Sequence, residues 1–377
     1  MARVNTLRFT NNTRAILPLL MGFILGPGLS LVASALTGPP VTHPTRDEQT
    51  VFTITKQATP QNTLQNALIT TTPEQHIARA RQALLDFQRS ANPRLLGDAQ
   101  RELAGVSAED YTPDFYLYRA SLRQSLHQFS AAVTDLAVLS KLQPNNFHAQ
   151  MMRFNIAFVS GDTVVADLAC DKLANASKDL YTASCRQLLR AAATENVVEA
   201  EAAYHELKTA MAKAGPLADR QALSWASGSL ADIAERAGRD DAAQLWQLVL
   251  SMNPDDVYAR ARLAALKLAT NNNAAVLALT GQYLAVDSLA VLHAIAARRQ
   301  GGGEQLISVL RERFNEALWR GEVLHKRAYA QFLLDIESKP AAALLWAQNN
   351  WQEQREWPDT QLLIRARRAA VQAENSQ

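Results

Sequence analysis

Glycine, proline and cysteine are all scarce in this sequence. Its 377 residues include 15 Gly, 14 Pro and 2 Cys, whereas 48% of the residues are hydrophobic. So few turn-forming residues disfavour a turn-rich β architecture and suit long helices joined by short loops. The length exceeds the usual single-core domain, so either two domains or one repeat array is expected.

Neither sign of charge is in large excess. The formal net charge is +2, and three arginines lie in an N-terminal segment that we expect to be removed. Without these three arginines, the sequence contains 35 basic and 36 acidic residues. This balance lacks the basic surplus that is typical of nucleic-acid binding, so we expect no nucleic-acid partner.

The sequence also lacks the common catalytic motifs. It contains no Gly-x-Ser-x-Gly, no His-Glu-x-x-His and no phosphate loop that ends in Gly-Lys-Ser or Gly-Lys-Thr. Its 7 histidines never occur as metal-spaced pairs. We therefore expect a protein that is not an enzyme, with no cofactor, no metal and no catalytic residue.

The N-terminus has the pattern of an export signal. Three arginines, Arg3, Arg8 and Arg14, precede an apolar run over 15–35, and no acid occurs before Asp47. The run ends in Ala33-Ser34-Ala35, a small-x-small signal-peptidase pattern. We expect a signal peptide over 1–35, cleavage after Ala35 and a periplasmic or secreted protein. The alternative is an uncleaved inner-membrane anchor that holds the body outside the cytoplasm; this segment would then be the protein's membrane contact.

Two regions of different composition follow. Residues 36–73 contain 11 Thr and 5 Pro among 38 residues, with little apolar periodicity, which indicates a flexible tether. From Thr72-Pro73 onward, apolar residues recur at steps of three and four, and a second Thr-Pro helix start stands at Thr112-Pro113. We expect one helical domain over 74–375.

Two segments share one internal spacing. Ala132, Leu136 and Pro144 in the first correspond to Ala242, Trp246 and Pro254 in the second. Small residues let paired helices approach, bulky ones fill the gaps, and proline ends the second helix. Pro144 and Pro254 lie 110 residues apart, and Pro254 and Pro358 lie 104 apart, so each interval fits three repeats of 34 residues with small insertions.

This spacing resembles the tetratricopeptide repeat (TPR) family over roughly residues 73–375, although the motif is degenerate. The resemblance implies an all-α, right-handed superhelical solenoid of seven or eight antiparallel helix pairs. It further implies that the first helices line a concave groove. Such a groove would bind a protein or extended peptide.

The predicted first helices carry basic residues, so the groove that the resemblance implies would be basic. The candidate ligand-binding residues are Arg119, Arg123, Arg153, Asn155, Arg186 and Arg190. The resemblance to carboxylate-binding TPR proteins implies an anionic peptide as the ligand. The alternative is a set of ordinary solvated faces, and the repeat register places Arg119 and Arg123 at normally interior positions.

The two cysteines lie at equal distances from an expected turn at 175–178. Side chains equidistant from the turn of an antiparallel hairpin lie side by side, so Cys170 and Cys185 can form a disulfide if the protein is exported. The alternative is two small buried residues without oxidation.

Two functions remain open at this point. The first is a non-catalytic extracytoplasmic scaffold that binds a protein or extended peptide in the groove. The alternative is an envelope-assembly accessory factor for polysaccharide or cell-wall machinery, in which tryptophans such as Trp351 and Trp357 contact glycan. Packing of those tryptophans in the core is the competing interpretation.

Overall fold

The computed structural model describes residues 71–175, 179–193, 196–215, 218–321, 323 and 325–375. These residues form seventeen α-helices and one short 3-10 helix at Ala108–Asp110, and they contain no β-strand. None of the described helices is both long and apolar enough to cross a membrane. The predicted signal segment and nearly all of the predicted tether lie outside the described residues.

The helices follow one another with short connections. In chain order they are α1 (Pro73–Ser90), α2 (Arg94–Ala104), α3 (Pro113–Ser125), α4 (Phe129–Leu142), α5 (Phe147–Ser160), α6 (Thr163–Asn175), α7 (Asp179–Ala193), α8 (Val197–Ala214), α9 (Arg220–Arg236), α10 (Ala242–Met252), α11 (Val257–Ala269), α12 (Asn273–Thr280), α13 (Asp287–Arg299), α14 (Glu304–Trp319), α15 (Lys326–Asp335), α16 (Pro340–Glu353) and α17 (Trp357–Glu374). Within the described residues they make eight consecutive pairs, α1–α2 to α15–α16, and α17 packs on the last pair. The predicted all-α solenoid of helix pairs is confirmed.

Side-chain hydrogen bonds cap two helices at their predicted starting residues. The Thr72 hydroxyl accepts a hydrogen bond from the Gln75 amide at 3.3 Å, and the Gln75 side chain accepts one from the Thr72 amide at 3.1 Å. The Thr112 hydroxyl accepts from the Phe115 amide at 3.3 Å. These bonds satisfy amides that have no partner within the first helical turn. Helices α1 and α3 therefore begin at the predicted Thr-Pro pairs.

Small residues bring the helices of a pair together, as the spacing predicts. Ala120 on α3 and Ala132 on α4 are both fully buried, and Leu136 fills the space beside them. In the later pair, Ala242 and Trp246 are buried on α10. Burial of a side chain the size of Leu136 contributes about 1.5–3 kcal/mol. This packing continues as apolar clusters from α5 to α17.

The described stack turns back on itself. The backbone N–H of Arg355, after α16, donates to the carbonyl of Val159 on α5 at 2.6 Å. The rings of His127, before α4, and His325, before α15, lie 6.1 Å apart at their centroids. The eighth helix pair therefore contacts the region of the second and third pairs.

Candidate binding site

The first helices of the later pairs and the final helix, α17, line a cavity of about 460 Å³. Helices α9, α11, α13 and α15 contribute one side of its wall, and α17 contributes the other. We call this space the inner cavity. Its volume falls in the range of about 300–1,000 Å³ that is typical of ligand sites.

Small residues on α11 leave this space open. Ala261, Ala265 and Ala269 all line the cavity, and their spacing of four residues places them on one helix face. Leu292 and Leu362 add apolar surface, whereas the polar part of the lining includes Arg239, Arg365, Gln331, Gln361 and Ser288. An apolar surface with a few polar groups is the usual composition of a ligand site.

An ion pair joins α9 to α11 beside the cavity. The Arg262 guanidinium binds the Glu235 carboxylate through two N–H groups, one of them at 3.1 Å, and both side chains are buried. Burial disfavours the charge of Arg262, but the neighbouring Glu235 outweighs this effect and raises the pKa of Arg262. The indole N–H of Trp246 also donates to Glu235. These bonds fix the relative positions of α9, α10 and α11.

A second buried ion pair holds the start of α17. One guanidinium nitrogen of Arg327 on α15 lies 3.3 Å from the Glu356 carboxylate and 3.2 Å from that of Asp359. The Asn350 side-chain amide donates to Asp359 at 2.8 Å. Burial raises the pKa of the Glu356 carboxyl, Arg327 opposes this shift, and Asp359 and Asp232 add to it. Helix α17 is thereby joined to α15 and α16 by charged groups away from solvent.

A separate cleft of about 300 Å³ opens on the other side of Trp357. We call it the tryptophan cleft; its lining comprises Phe158, Gly161, Thr163, Leu189, Ala192, Ala193, Arg236, Trp351, Arg355, Trp357 and Thr360. The Arg236 guanidinium lies 5.4 Å from the ring centroid of Trp357, and the Arg355 guanidinium lies 6.0 Å from that of Trp351. Cations and indole faces at such distances attract one another.

The predicted Arg119 and Arg123 meet on one acid. Arg119 approaches the buried Asp135 carboxylate at 2.7 Å, and Arg123 approaches it at 2.6 Å. The guanidinium of Arg119 also lies 4.6 Å from the centroid of the Phe115 ring. Both arginines therefore bind α4, the second helix of their own pair.

The other predicted arginine pair faces different acids. Arg186 lies 3.2 Å from Asp171, while Arg190 lies 2.7 Å from Glu199 and 2.6 Å from Glu206. On α5, Arg153 is half-buried, and Asn155 is buried beside a narrow gap that Glu356 also lines. The structure thus distributes these residues over separate contacts, and their role in ligand binding stays a prediction.

The two cysteines are joined in the structure. Cys170 on α6 and Cys185 on α7 form a disulfide with Cα atoms 6.0 Å apart, and both residues are fully buried. Among the described residues, no group of three or more His, Cys, Asp or Glu side chains is arranged to hold a metal ion.

Sequence reasoning missed most of the residues around the two cavities. Arg236, Glu235, Arg327, Glu356 and Asp359 come together from helices that lie far apart in the chain. One signal was available, because Trp357-Pro358-Asp359 has the same Pro-acid start as α1 and α3. It marks the beginning of α17, which forms one side of the inner cavity.

Taken together, the fold and the inner cavity define a helix-pair solenoid with a ligand-sized space on its first helices. Comparison with known proteins adds little detail. No family model and no curated protein matches the chain. The chain is similar to a solved structure described as the TPR domain of P58(IPK), at 14% identity and a TM-score of 0.27, over 80% of this chain and 99% of that one. The fold assignment rests on the helix packing described above.

Proposed function

We propose that this protein is a non-catalytic, extracytoplasmic scaffold that binds a protein or extended peptide on its first helices. The inner cavity is the observation that carries the proposal. A solenoid of helix pairs presents an extended surface, and the cavity supplies a place on that surface where partner side chains can be buried.

Two observations support a location outside the cytoplasm. The N-terminal 35 residues have the charge, apolar run and small-residue ending of a signal peptide. The Cys170–Cys185 bond belongs to the chemistry of oxidising compartments, because cytosolic thiols are kept reduced. Each observation is independent of the other, since one concerns the leader and the other concerns the helical domain.

Site-specific photo-cross-linking in cells tests the binding surface. A photoreactive residue at Gln331 or Gln361, both in the cavity wall, is expected to capture a partner protein. The same residue at Glu312, exposed on α14, is the matched control and is expected to capture none. Equal capture at all three positions would reject the inner cavity as the binding surface.

A cavity-filling variant makes the test specific. Ala265→Leu adds bulk to the α11 face of the cavity and is expected to abolish capture at Gln331 while the helical circular dichroism spectrum is retained. Capture that survives this change would place the partner elsewhere on the molecule.

A second candidate function is an envelope-assembly accessory role in polysaccharide or cell-wall machinery. The tryptophan cleft favours it, because Trp351 and Trp357 line one ligand-sized space together with arginine and threonine side chains. Sugar rings have apolar C–H faces that pack on indoles and polar edges that need hydrogen-bonding partners. A direct measurement of glycan binding tests this candidate.

A further inference from the structure

The tryptophan cleft is lined by an arginine, Arg355, that has no carboxylate partner among the described residues. Among the described residues, its lining includes two arginines, Arg236 and Arg355, and no acidic side chain, although Arg236 pairs with Asp232 outside the lining. In the inner cavity, by contrast, each lining arginine is paired with a carboxylate; these arginines are Arg239, Arg262, Arg327 and Arg365. A cleft that contains an arginine without a carboxylate partner favours a negatively charged ligand.

Arg355 has the free hydrogen-bonding capacity that such a ligand needs. Its side chain makes one hydrogen bond, from Nε to the carbonyl of Trp351 at 3.2 Å, and it pairs with no carboxylate among the described residues. Its backbone N–H is fixed by the bond to Val159. The two terminal nitrogens of an anchored, exposed guanidinium are therefore available to a ligand carboxylate in a bidentate arrangement.

Arg236 supplies a second, buried cation. Only 9% of its side chain is exposed, and its Nε donates to Asp232 at 2.9 Å. Its terminal nitrogens make no other hydrogen bond in the described part of the chain, and the guanidinium packs near Trp357 and Phe158. The terminal nitrogens of this mostly buried side chain can therefore donate to a ligand anion in the cleft.

The remainder of the lining fits a saturated ring rather than an isolated anion. Two indoles provide flat apolar surface, Ala192 and Ala193 leave room beside them, and Thr163 and Thr360 provide hydroxyl groups. A small inorganic anion would use the arginines alone. A carboxylated sugar would also place its C–H face on an indole and its hydroxyls near the threonines.

We propose that the tryptophan cleft binds a carboxylated sugar, the unit of an acidic glycan. This proposal rests on the second candidate function and specifies the ligand of the same site. Arg355 and Arg236 bind the carboxylate, and Trp351 and Trp357 pack against the sugar ring. Peptide binding in the inner cavity is a separate property, which this proposal neither requires nor excludes.

Titration calorimetry with the purified exported protein tests the proposal. The probe is trigalacturonate, the neutral counterpart is galactotriose, and free galacturonic acid distinguishes a glycan chain from a single sugar acid. We expect trigalacturonate to bind most tightly and galactotriose to bind at least about tenfold more weakly, as loss of a charge-assisted hydrogen bond implies. Affinity for trigalacturonate is expected to fall as salt is raised.

Variants locate the binding. Arg355→Gln is expected to weaken trigalacturonate binding about tenfold or more, and Arg355→Lys to weaken it less, because lysine keeps the charge but loses the planar fork. Arg320→Gln, at an exposed arginine on the C-terminal end of α14, is the control and is expected to change nothing. Because the Arg355 side chain is exposed, its variants are expected to keep the wild-type melting temperature.

Each result has a defined meaning. Equal affinity for galactotriose overturns the acidic part of the proposal but leaves the polysaccharide candidate intact. A tripeptide such as Ala-Ala-Phe that displaces trigalacturonate at equal concentration assigns the cleft to peptide carboxylates and overturns the proposal. Failure of the wild type to bind any of these sugars overturns the proposal and leaves the peptide-binding role of the inner cavity to its own test.

Discussion

The backbone N–H of Arg355 donates to the carbonyl of Val159 at 2.6 Å, and this bond joins the end of α16 to the end of α5. Gly161, two residues beyond Val159, allows the approach. A Cβ atom at this position would lie 2.7 Å from Cδ of Arg355, and the glycine has a φ of +76°. The closure therefore depends on a residue without a side chain.

Gly161→Ala tests this dependence. The left-handed backbone alone disfavours alanine by about 1–2 kcal/mol, and the contact with Arg355 adds to that loss. Gly238→Ala is the matched control, since its φ is +68° but a Cβ would meet nothing within 4 Å. Urea unfolding is expected to show a larger loss for Gly161→Ala than for Gly238→Ala. Equal losses would show that Arg355 exerts no steric constraint there.

Removal of the disulfide is expected to destabilise the domain. Cys170 and Cys185 are 15 residues apart, and closing a loop of that size contributes about 3 kcal/mol on the chain-entropy model. The double variant Cys170→Ala/Cys185→Ala should lose about this free energy of unfolding. Reductant should destabilise the wild type and leave the double variant unchanged. Peptide mapping of exported protein without reductant supplies the chemical check, and two free thiols there would contradict the bond.

Truncation of two tryptophans should destabilise the protein to very different extents. Trp246 is only 1% exposed and packs in the core near Tyr258, whereas Trp319 at the end of α14 is 86% exposed. Trp246→Ala is expected to destabilise the protein by about 3–5 kcal/mol. Trp319→Ala is expected to change stability by about 0.5 kcal/mol or less. Thermal and urea unfolding of both variants measure the difference, and comparable losses would contradict the packing.

Glu356 should make stability depend on pH. Its buried carboxyl faces Arg327 of α15, Asp359 of α17 and Asp232 of α9, and burial raises its pKa above the unfolded value. The native state then holds the proton more tightly, so this group's contribution to stability is present below the unfolded pKa and is lost as pH rises through the raised one. Unfolding free energies from about pH 5 to pH 8 should fall more steeply for the wild type than for Glu356→Gln. Parallel curves would show that Glu356 does not titrate differently on folding.

The exported form should begin at Leu36. Cleavage after Ala35 removes the segment that precedes the tether, and N-terminal sequencing of protein recovered from the extracytoplasmic fraction identifies the new terminus. A chain that keeps Arg3, Arg8 and Arg14 and sediments with membranes would favour the anchored alternative. Recovery in the cytoplasm would reject export.

The sequence predicted the helix-pair fold well because its signals are local. Thr72-Pro73, Thr112-Pro113 and the small residues Ala120 and Ala132 each act within one helix or one pair. The sequence did not predict the inner cavity, because that cavity depends on packing between distant helices. Whether α17 meets α9 and α11 depends on small rotations that add up over many pairs, and no single residue encodes their sum.

The predicted basic groove shows the same limit. Spacing alone placed Arg119 and Arg123 on one helix face, but it did not reveal that Asp135 on the next helix binds both of them. Their interior repeat positions were the available hint. A basic residue at a normally interior position indicates an ion pair within the fold as readily as it indicates a ligand site.

The bond between Arg355 and Val159 also bears on how this protein can evolve. An open repeat array can gain or lose a unit at little structural expense, since each unit contacts only its neighbours. Here, duplication or deletion of one helix pair between α6 and α15 would carry Arg355 away from Val159 and separate the walls of the tryptophan cleft, and a change between α10 and α15 would also separate those of the inner cavity. Homologues that keep these cavities are therefore expected to conserve the number of helix pairs across this interval, even where the individual residues diverge.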